Sequence, residues 1–242
     1  MKSLLNEINI LFKSVPGYVV ALFVVSVVLM NLLANKSIDG LPSWLALDCG
    51  FTLSWLSFLC MDMITKHFGP RASIILSIFA LLTNLLAAIV LFFVAMIPGS
   101  WSASFTATDA QTVNIALNQT FAGTWYVLLG SSVAFTLSSI INAVSNWNIG
   151  KLQKNDSFLS FATRSYISTA IAQFVDNFTF ALIVSHVFFG WTMTQCVTCA
   201  ITGMIVELIC EIVFSPIGYK AVSSWKRDNV GIEYRSKFIS HI

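Results

Sequence analysis

Apolar runs of about twenty residues recur along this chain between short polar breaks, and a run of that length crosses the hydrocarbon core of a bilayer as a helix. Six such spans are predicted. The first runs from Gly17 to about Ala34, opened by Pro16 and marked at its far end by Asn31, Asn35 and Lys36. The second, about Trp44 to Thr65, contains Asp48 and Asp62, and a loop through Asp39 precedes it. It ends at the basic turn Lys66-His67-Phe68-Gly69-Pro70-Arg71, where the Gly-Pro pair breaks the helix. The third, Ala72 to Ile97, carries one amide in its core, Asn84, and stops at Pro98-Gly99. The fourth, about Gly123 to Ile149, is rich in small and hydroxyl residues and closes with Asn142 and Asn146 one turn apart. The fifth, about Ala162 to Phe188, and the sixth, about Thr192 to Ile217, are joined by the short link Phe189-Gly190-Trp191, so an antiparallel hairpin is expected.

Three segments lie outside the spans. Residues 1–15 alternate Lys2, Glu7 and Lys13 with Leu4, Leu5, Ile8, Leu11 and Phe12, the pattern of an amphipathic helix on a membrane surface. No small-residue cleavage site follows, so they are not read as a cleaved signal peptide. Residues 100–122 are rich in Ser, Thr and Asn, with a short interfacial helix expected from Asp109 to Asn118. Residues 219–242 form a polar tail after a transmembrane domain over 16–218.

Composition leads to the same class. The chain is 57% hydrophobic and 10% charged with mean hydropathy +0.81, against roughly 25% charged residues in soluble domains. The fold class is therefore an all-α integral membrane protein with six transmembrane helices. A net charge of +2 is too mild to argue for a nucleic-acid partner. Charge instead reports topology: with six spans and the N-terminus inside, only Lys36 of the thirteen Lys and Arg residues falls outside. Both termini are expected in the cytoplasm. The five cysteines sit in or beside apolar runs and read as small buried hydrophobes. Cys196-x-x-Cys199 has no second pair or nearby His to complete a metal set, so neither metal nor cofactor is expected.

The candidate chemistry lies where polarity interrupts the apolar runs. Thr169, Gln173, Asp176, Asn177 and Phe180 recur at spacings of three and four, placing them on one helix face. A charge at membrane depth costs about 3 kcal/mol, so Asp176 must face a partner or a wet cavity. The stripe reads as the wall of a binding site, or else as a hydrogen-bonded seam between helices. In the sixth span Cys199, Gly203, Glu207, Glu211 and Ser215 follow at steps of four. Two glutamates one turn apart repel, so one holds a proton, or a cation sits between them, or salt bridges to Arg164 or Lys66 compensate. Glu211 and Asp62 are accordingly the candidates for proton coupling. Asp62 alternatively pairs with Lys66 at i+4, and Asn84, Asn142 and Asn146 serve either as ligand contacts or as interhelical glue.

Four stretches carry a family resemblance: Asn31-Leu32-Leu33-Ala34-Asn35-Lys36; Met61-Asp62-Met63 through Phe68-Gly69; Ser168-Thr169-x-x-x-Gln173-x-x-Asp176-Asn177-x-x-Phe180; and Phe214-Ser215-Pro216-x-x-Tyr219. Over about residues 20 to 220 the chain resembles the VUT family, the queuosine precursor transporters. The resemblance implies a six-span protein of the bacterial cytoplasmic membrane that imports a 7-deazaguanine precursor of queuosine, or queuine. The family often has Ser or Thr where this chain has Asn177, and many members carry Lys near the position of Glu207. A deazaguanine offers a flat face and a donor-rich edge, which a carboxylate, amides and an aromatic ring can satisfy together. Asp176, Gln173, Asn177, Glu207 and Asn84 form the expected set for this purine-like small molecule. An alternative is a substrate-binding subunit that needs a separate ATP-driven module, because the chain has no Gly-rich Lys-Ser/Thr phosphate loop. An enzyme is not expected, since neither a His-Glu-x-x-His pattern nor a nucleophile and base pair stands out. The small residues of the fourth span would also permit a homodimer.

Overall fold

The computed structural model of the chain describes residues 2–38, 40–45, 47–101, 110–122, 125–153 and 156–239. Asp39, the expected helix start at Asp109, the span start at Gly123 and Lys154 lie outside the described residues. The described elements are α1 (Lys2–Ser14), α2 (Gly17–Leu33), α3 (Phe51–Phe68), α4 (Pro70–Met96), α5 (Ala110–Ala122), α6 (Trp125–Leu152), α7 (Phe158–Phe180), a π-helical stretch (Ala181–His186), α8 (Val187–Phe189), α9 (Met193–Arg227) and α10 (Ile232–Phe238).

α2, α3, α4, α6, α7 and α9 bundle together, and they occupy the six positions where the apolar runs fall. Among the described residues, four helical stretches are long and apolar enough to cross a membrane: Pro70–Met96, Gln111–Leu152, Phe158–Phe189 and Met193–Arg227. A fifth is reached if α1 and α2, bent by 104° across Pro16, are taken as one broken span. Alone, α2 is only 17 residues long. α3 spends part of its 18 residues on Asp62, Lys66, His67 and several hydroxyls.

The bundle is inverted relative to a water-soluble one. Leu86, Phe93, Leu129 and Val213 are each 57–63% exposed on its outside, whereas Asp62, Asn142, Asn146, Ser165, Gln173, Glu207 and Glu211 are at most 1% exposed inside it. In water such an apolar surface would be a docking or aggregation face; in lipid it costs nothing, and the polar groups must find each other within. Small residues permit this. Ser131, Ala134, Ser138 and Ala143 line the buried face of α6, along which α7 packs closely.

Two boundaries differ from the sequence expectation. The second helix begins at Phe51 rather than near Trp44, because the preceding loop folds back on itself. Ser37 and Asp48 form an isolated β-bridge, the Cys49 N–H donates to the Lys36 carbonyl at 2.8 Å, and the Asp48 carboxylate accepts the Gly50 N–H at 2.7 Å. The last long helix, capped by a reciprocal Thr192–Gln195 box, runs ten residues past Ile217 to Arg227. Its 35 residues span about 52 Å at 1.5 Å per residue, well beyond a hydrocarbon core of about 30 Å.

The polar tail is thus largely helical where described, and α10 closes on α1. Tyr234 donates its hydroxyl to Glu7 at 3.3 Å, Arg71 pairs with the same carboxylate at 2.7 Å, and the Trp225 indole N–H donates to the Tyr18 hydroxyl at 2.9 Å. Both ends of the chain therefore meet at one end of the bundle. Lys66, Lys151, Arg164, Lys226 and Arg235 gather there too, around a cavity of about 410 Å³ that also holds Asp156.

Candidate functional site

Two polar clusters lie inside the bundle, one turn apart. The outer one surrounds a small cavity of about 40 Å³ lined by residues of α2, α3, α6, α7 and α9. Asp176 and Asn177 come from α7, Glu207 from α9, Asn31 from α2, and Asp48 from the loop before α3. Ser54 donates its hydroxyl to Glu207 Oε1, and the Asn177 amide donates to Glu207 Oε2 at 3.3 Å. Ser138 of α6 donates to Asp176 Oδ1 at 2.7 Å, and Ser131 donates to Asn31 Oδ1. Phe51 and Phe180 add two aromatic rings to the wall.

The close seat of Asn177 depends on Gly203, one turn before Glu207. A β-carbon at Gly203 would lie 2.7 Å from Asn177 Nδ2, so only glycine leaves room for the amide to reach Glu207 as it does. Three carboxylates, Asp48, Asp176 and Glu207, thus line one cavity, and no Lys or Arg is among its lining residues. Such an arrangement binds a cation or a donor-rich edge and repels anions. The cavity has room for about one water, whose share of liquid volume is about 30 Å³. A larger solute enters only if the helices around it separate.

The inner cluster joins Asp62 of α3 to Ser165, Thr169 and Glu211. Asn142 of α6 donates to Asp62 Oδ1 at 2.6 Å, and Thr169 donates to Asp62 Oδ2 at 3.2 Å. The Ser165 hydroxyl touches both Asp62 Oδ2 and Glu211 Oε1. Neither ion-pair alternative for these acids is realised among the described residues. Lys66 pairs with Asp156 at 2.8 Å, and Arg164 turns its Nε and Nη2 to Asn146 Oδ1 at 2.8 and 2.5 Å.

Of the five residues expected to bind substrate, Asp176, Asn177 and Glu207 share the outer cavity. Gln173 is fully buried between the two clusters, and neither of its amide atoms has a partner. Asn84 stands apart on α4, lining an apolar groove of about 520 Å³ with Asn31 and Asn35. The proton-coupling candidates Asp62 and Glu211 meet in the inner cluster. Sequence reasoning did not assign Asp48, Ser54, Asn31 or Ser138 to the site. Each comes from a different element than the α7 stripe, so no helical spacing connects them. The Cys196 and Cys199 thiols are buried and free.

No curated protein and no solved structure matches the chain. Residues 48–221, more than half of the chain, match the family described as "Putative vitamin uptake transporter". That segment contains α3 to α9 up to Ala221 and every carboxylate of both clusters. The chain is a multi-pass membrane protein and belongs to the vitamin uptake transporter (VUT) family.

Proposed function

We propose that the protein is a six-span importer of a 7-deazaguanine precursor of queuosine in the bacterial cytoplasmic membrane, with both termini and the basic end of the bundle in the cytoplasm. The observation that carries the substrate reading is the set of three carboxylates, Asp48, Asp176 and Glu207, facing one cavity beside Asn177, Asn31 and two aromatic rings. A carboxylate accepts the paired donors of a guanine-like edge, an amide serves its carbonyl, and Phe51 or Phe180 covers its flat face. One acid then suffices for the ring. The remaining negative charge favours the 7-aminomethyl precursor, a cation, over the neutral 7-cyano one. In this reading Gln173 completes the wall once the helices part, while Asn84, on the groove it shares with Asn31 and Asn35, acts at the entrance.

Orientation follows from charge. The cavity of Lys66, Lys151, Arg164, Lys226 and Arg235 lies at the end where both chain ends meet, and Lys36 follows the opposite end of α2. The outer cluster then opens toward the exterior.

Thermal unfolding of the purified protein tests this with 7-aminomethyl- and 7-cyano-7-deazaguanine, queuine and guanine. A ligand at 100 times its Kd adds about 2.7 kcal/mol to apparent stability in a reversible system. The expected order places the 7-aminomethyl base first, with its shift lost in Asp176→Asn. Equal or absent shifts for all four would overturn the assignment. Uptake of the same base into vesicles under an ion gradient alone separates a self-sufficient transporter from a subunit that needs an ATP-driven module.

A further inference from the structure

The hydrogen-bond inventory of the inner cluster does not balance with both acids ionised. Asp62 and Glu211 together present four carboxyl oxygens. Against them the surroundings offer the Asn142 amide, the Thr169 hydroxyl and the Ser165 hydroxyl. Ser165 has a single hydroxyl proton yet lies against both carboxyl groups, so one of these two contacts lacks a proton unless a carboxyl supplies it. The second oxygen of Glu211, Oε2, is fully buried with no partner, as are Asn142 Oδ1 and Thr65 Oγ1. Two like charges in contact through one hydroxyl, away from water, do not both ionise.

The surrounding charges offset at most one of the two acids. On α9, Glu207 lies one turn above Glu211 and offers no positive charge. On α7, Arg164 hydrogen-bonds the neutral Asn146 and reaches Asp62 through its charge alone, so it offsets one carboxylate and not two, and on α3, Lys66 is paired with Asp156. His67, the next residue of α3, directs its ring nitrogen to the Val230 carbonyl at 3.0 Å. α6 contributes only the amides Asn142 and Asn146, and Arg71 of α4 is paired with Glu7.

We propose that Asp62 and Glu211 share one proton across the Ser165 hydroxyl, and that exchange of this proton with the two sides of the membrane energises uptake. When the proton leaves, the pair carries two negative charges that must separate or be solvated; when it returns, the pair closes again. The position suits coupling. Glu211 follows Glu207 by one turn of α9, about 6 Å. Asp176, Gln173, Thr169 and Ser165 step along one face of α7 from the cavity to the pair, with the unpartnered Gln173 between. The shared proton stands independently of the substrate, whereas its use in uptake rests on the transport reading above.

Infrared absorption tests the pair without any substrate, because a protonated carboxyl has a C=O band that a carboxylate lacks. At neutral pH the wild-type protein in vesicles is expected to show a component of this band that disappears in both Asp62→Asn and Glu211→Gln. Both replacements keep size and shape, and Ser165→Ala, which removes only the bridging hydroxyl, should shift the same component. An unchanged band in both acid variants would overturn the proposal. So would its removal when sodium replaces choline in the medium, since that outcome assigns the site to a metal ion. For transport, accumulation of 7-aminomethyl-7-deazaguanine should rise about ten-fold per pH unit of inward gradient for one proton per substrate, and Glu211→Gln should abolish that response. Uptake insensitive to the gradient in the wild type would overturn the coupling. Failure of the substrate reading alone would show differently, as no uptake of this base with the band intact.

Discussion

At the scale of single residues, one missing β-carbon governs the outer site. Asn177 and Glu207 approach each other across α7 and α9 only because residue 203 is glycine, whose absent side chain leaves the amide in place. Gly203→Ala should push the Asn177 amide, the mobile end of a flexible side chain, away from Glu207 while leaving the helices packed. Calorimetric titration with 7-aminomethyl-7-deazaguanine should then give roughly ten-fold weaker binding, the weight of one charge-assisted hydrogen bond of about 1.5 kcal/mol, at an unchanged Tm. A fall in Tm with unaltered affinity would show that Gly203 serves packing instead.

At the scale of elements, α7 does not continue as a regular helix past the site. After Phe180 it widens into the π-helical stretch Ala181–His186, a distortion that occurs mostly as single turns at functional positions. The widened turn carries Val184, which is fully buried against Gly130 of α6. A β-carbon on Gly130 would fall 2.1 Å from Val184 Cγ2, so α6 and the π-helical stretch are fitted to each other at this point. Gly130→Ala should therefore destabilise by about 1–3 kcal/mol, as overpacking does. Thermal unfolding of the single variant and of Gly130→Ala with Val184→Ala checks this, since the second change should recover much of the loss. Equal losses in both would place the strain elsewhere.

At the scale of the whole molecule, ionic contacts gather at one end. Asp156, just before α7, reaches both Lys66 of α3 at 2.8 Å and Lys226 of α9 at 2.6 Å and so ties three helices together. These hydrogen bonds and charges hold its carboxyl down to about 2 from the ordinary 3.8. A carboxyl held down in the folded state contributes stability that is present above pH 3.8 and lost as pH falls through about 2. The Asp156 side chain is 47% exposed, so the contribution at neutral pH is small, up to about 1 kcal/mol. Asp156→Asn should lower Tm slightly at neutral pH and converge on the wild type as pH falls below about 2; a gap that widened on acidification would contradict the clamp.

The sequence by itself determined the class of the protein and the approximate place of its helices, because a bilayer demands long apolar runs and a helix places residues three and four apart on one face. The α7 stripe and the α9 ladder of glutamates were legible for that reason, whereas Asp62 and Glu211 were separate candidates that only the packing of α3 against α7 and α9 brought together. The tertiary structure decided which polar groups meet. It drew Asp48, Ser54 and Asn31 into the cavity and Ser138 onto Asp176 from four other elements, left Asn84 on a separate groove, and sent Lys66 and Arg164 to Asp156 and Asn146 rather than to the buried acids. It also began α3 at Phe51 and carried α9 to Arg227, since loop hydrogen bonds and packing at the bundle's end set those limits rather than hydropathy. Periodicity describes one helix at a time, whereas a site between helices is a property of how they pack.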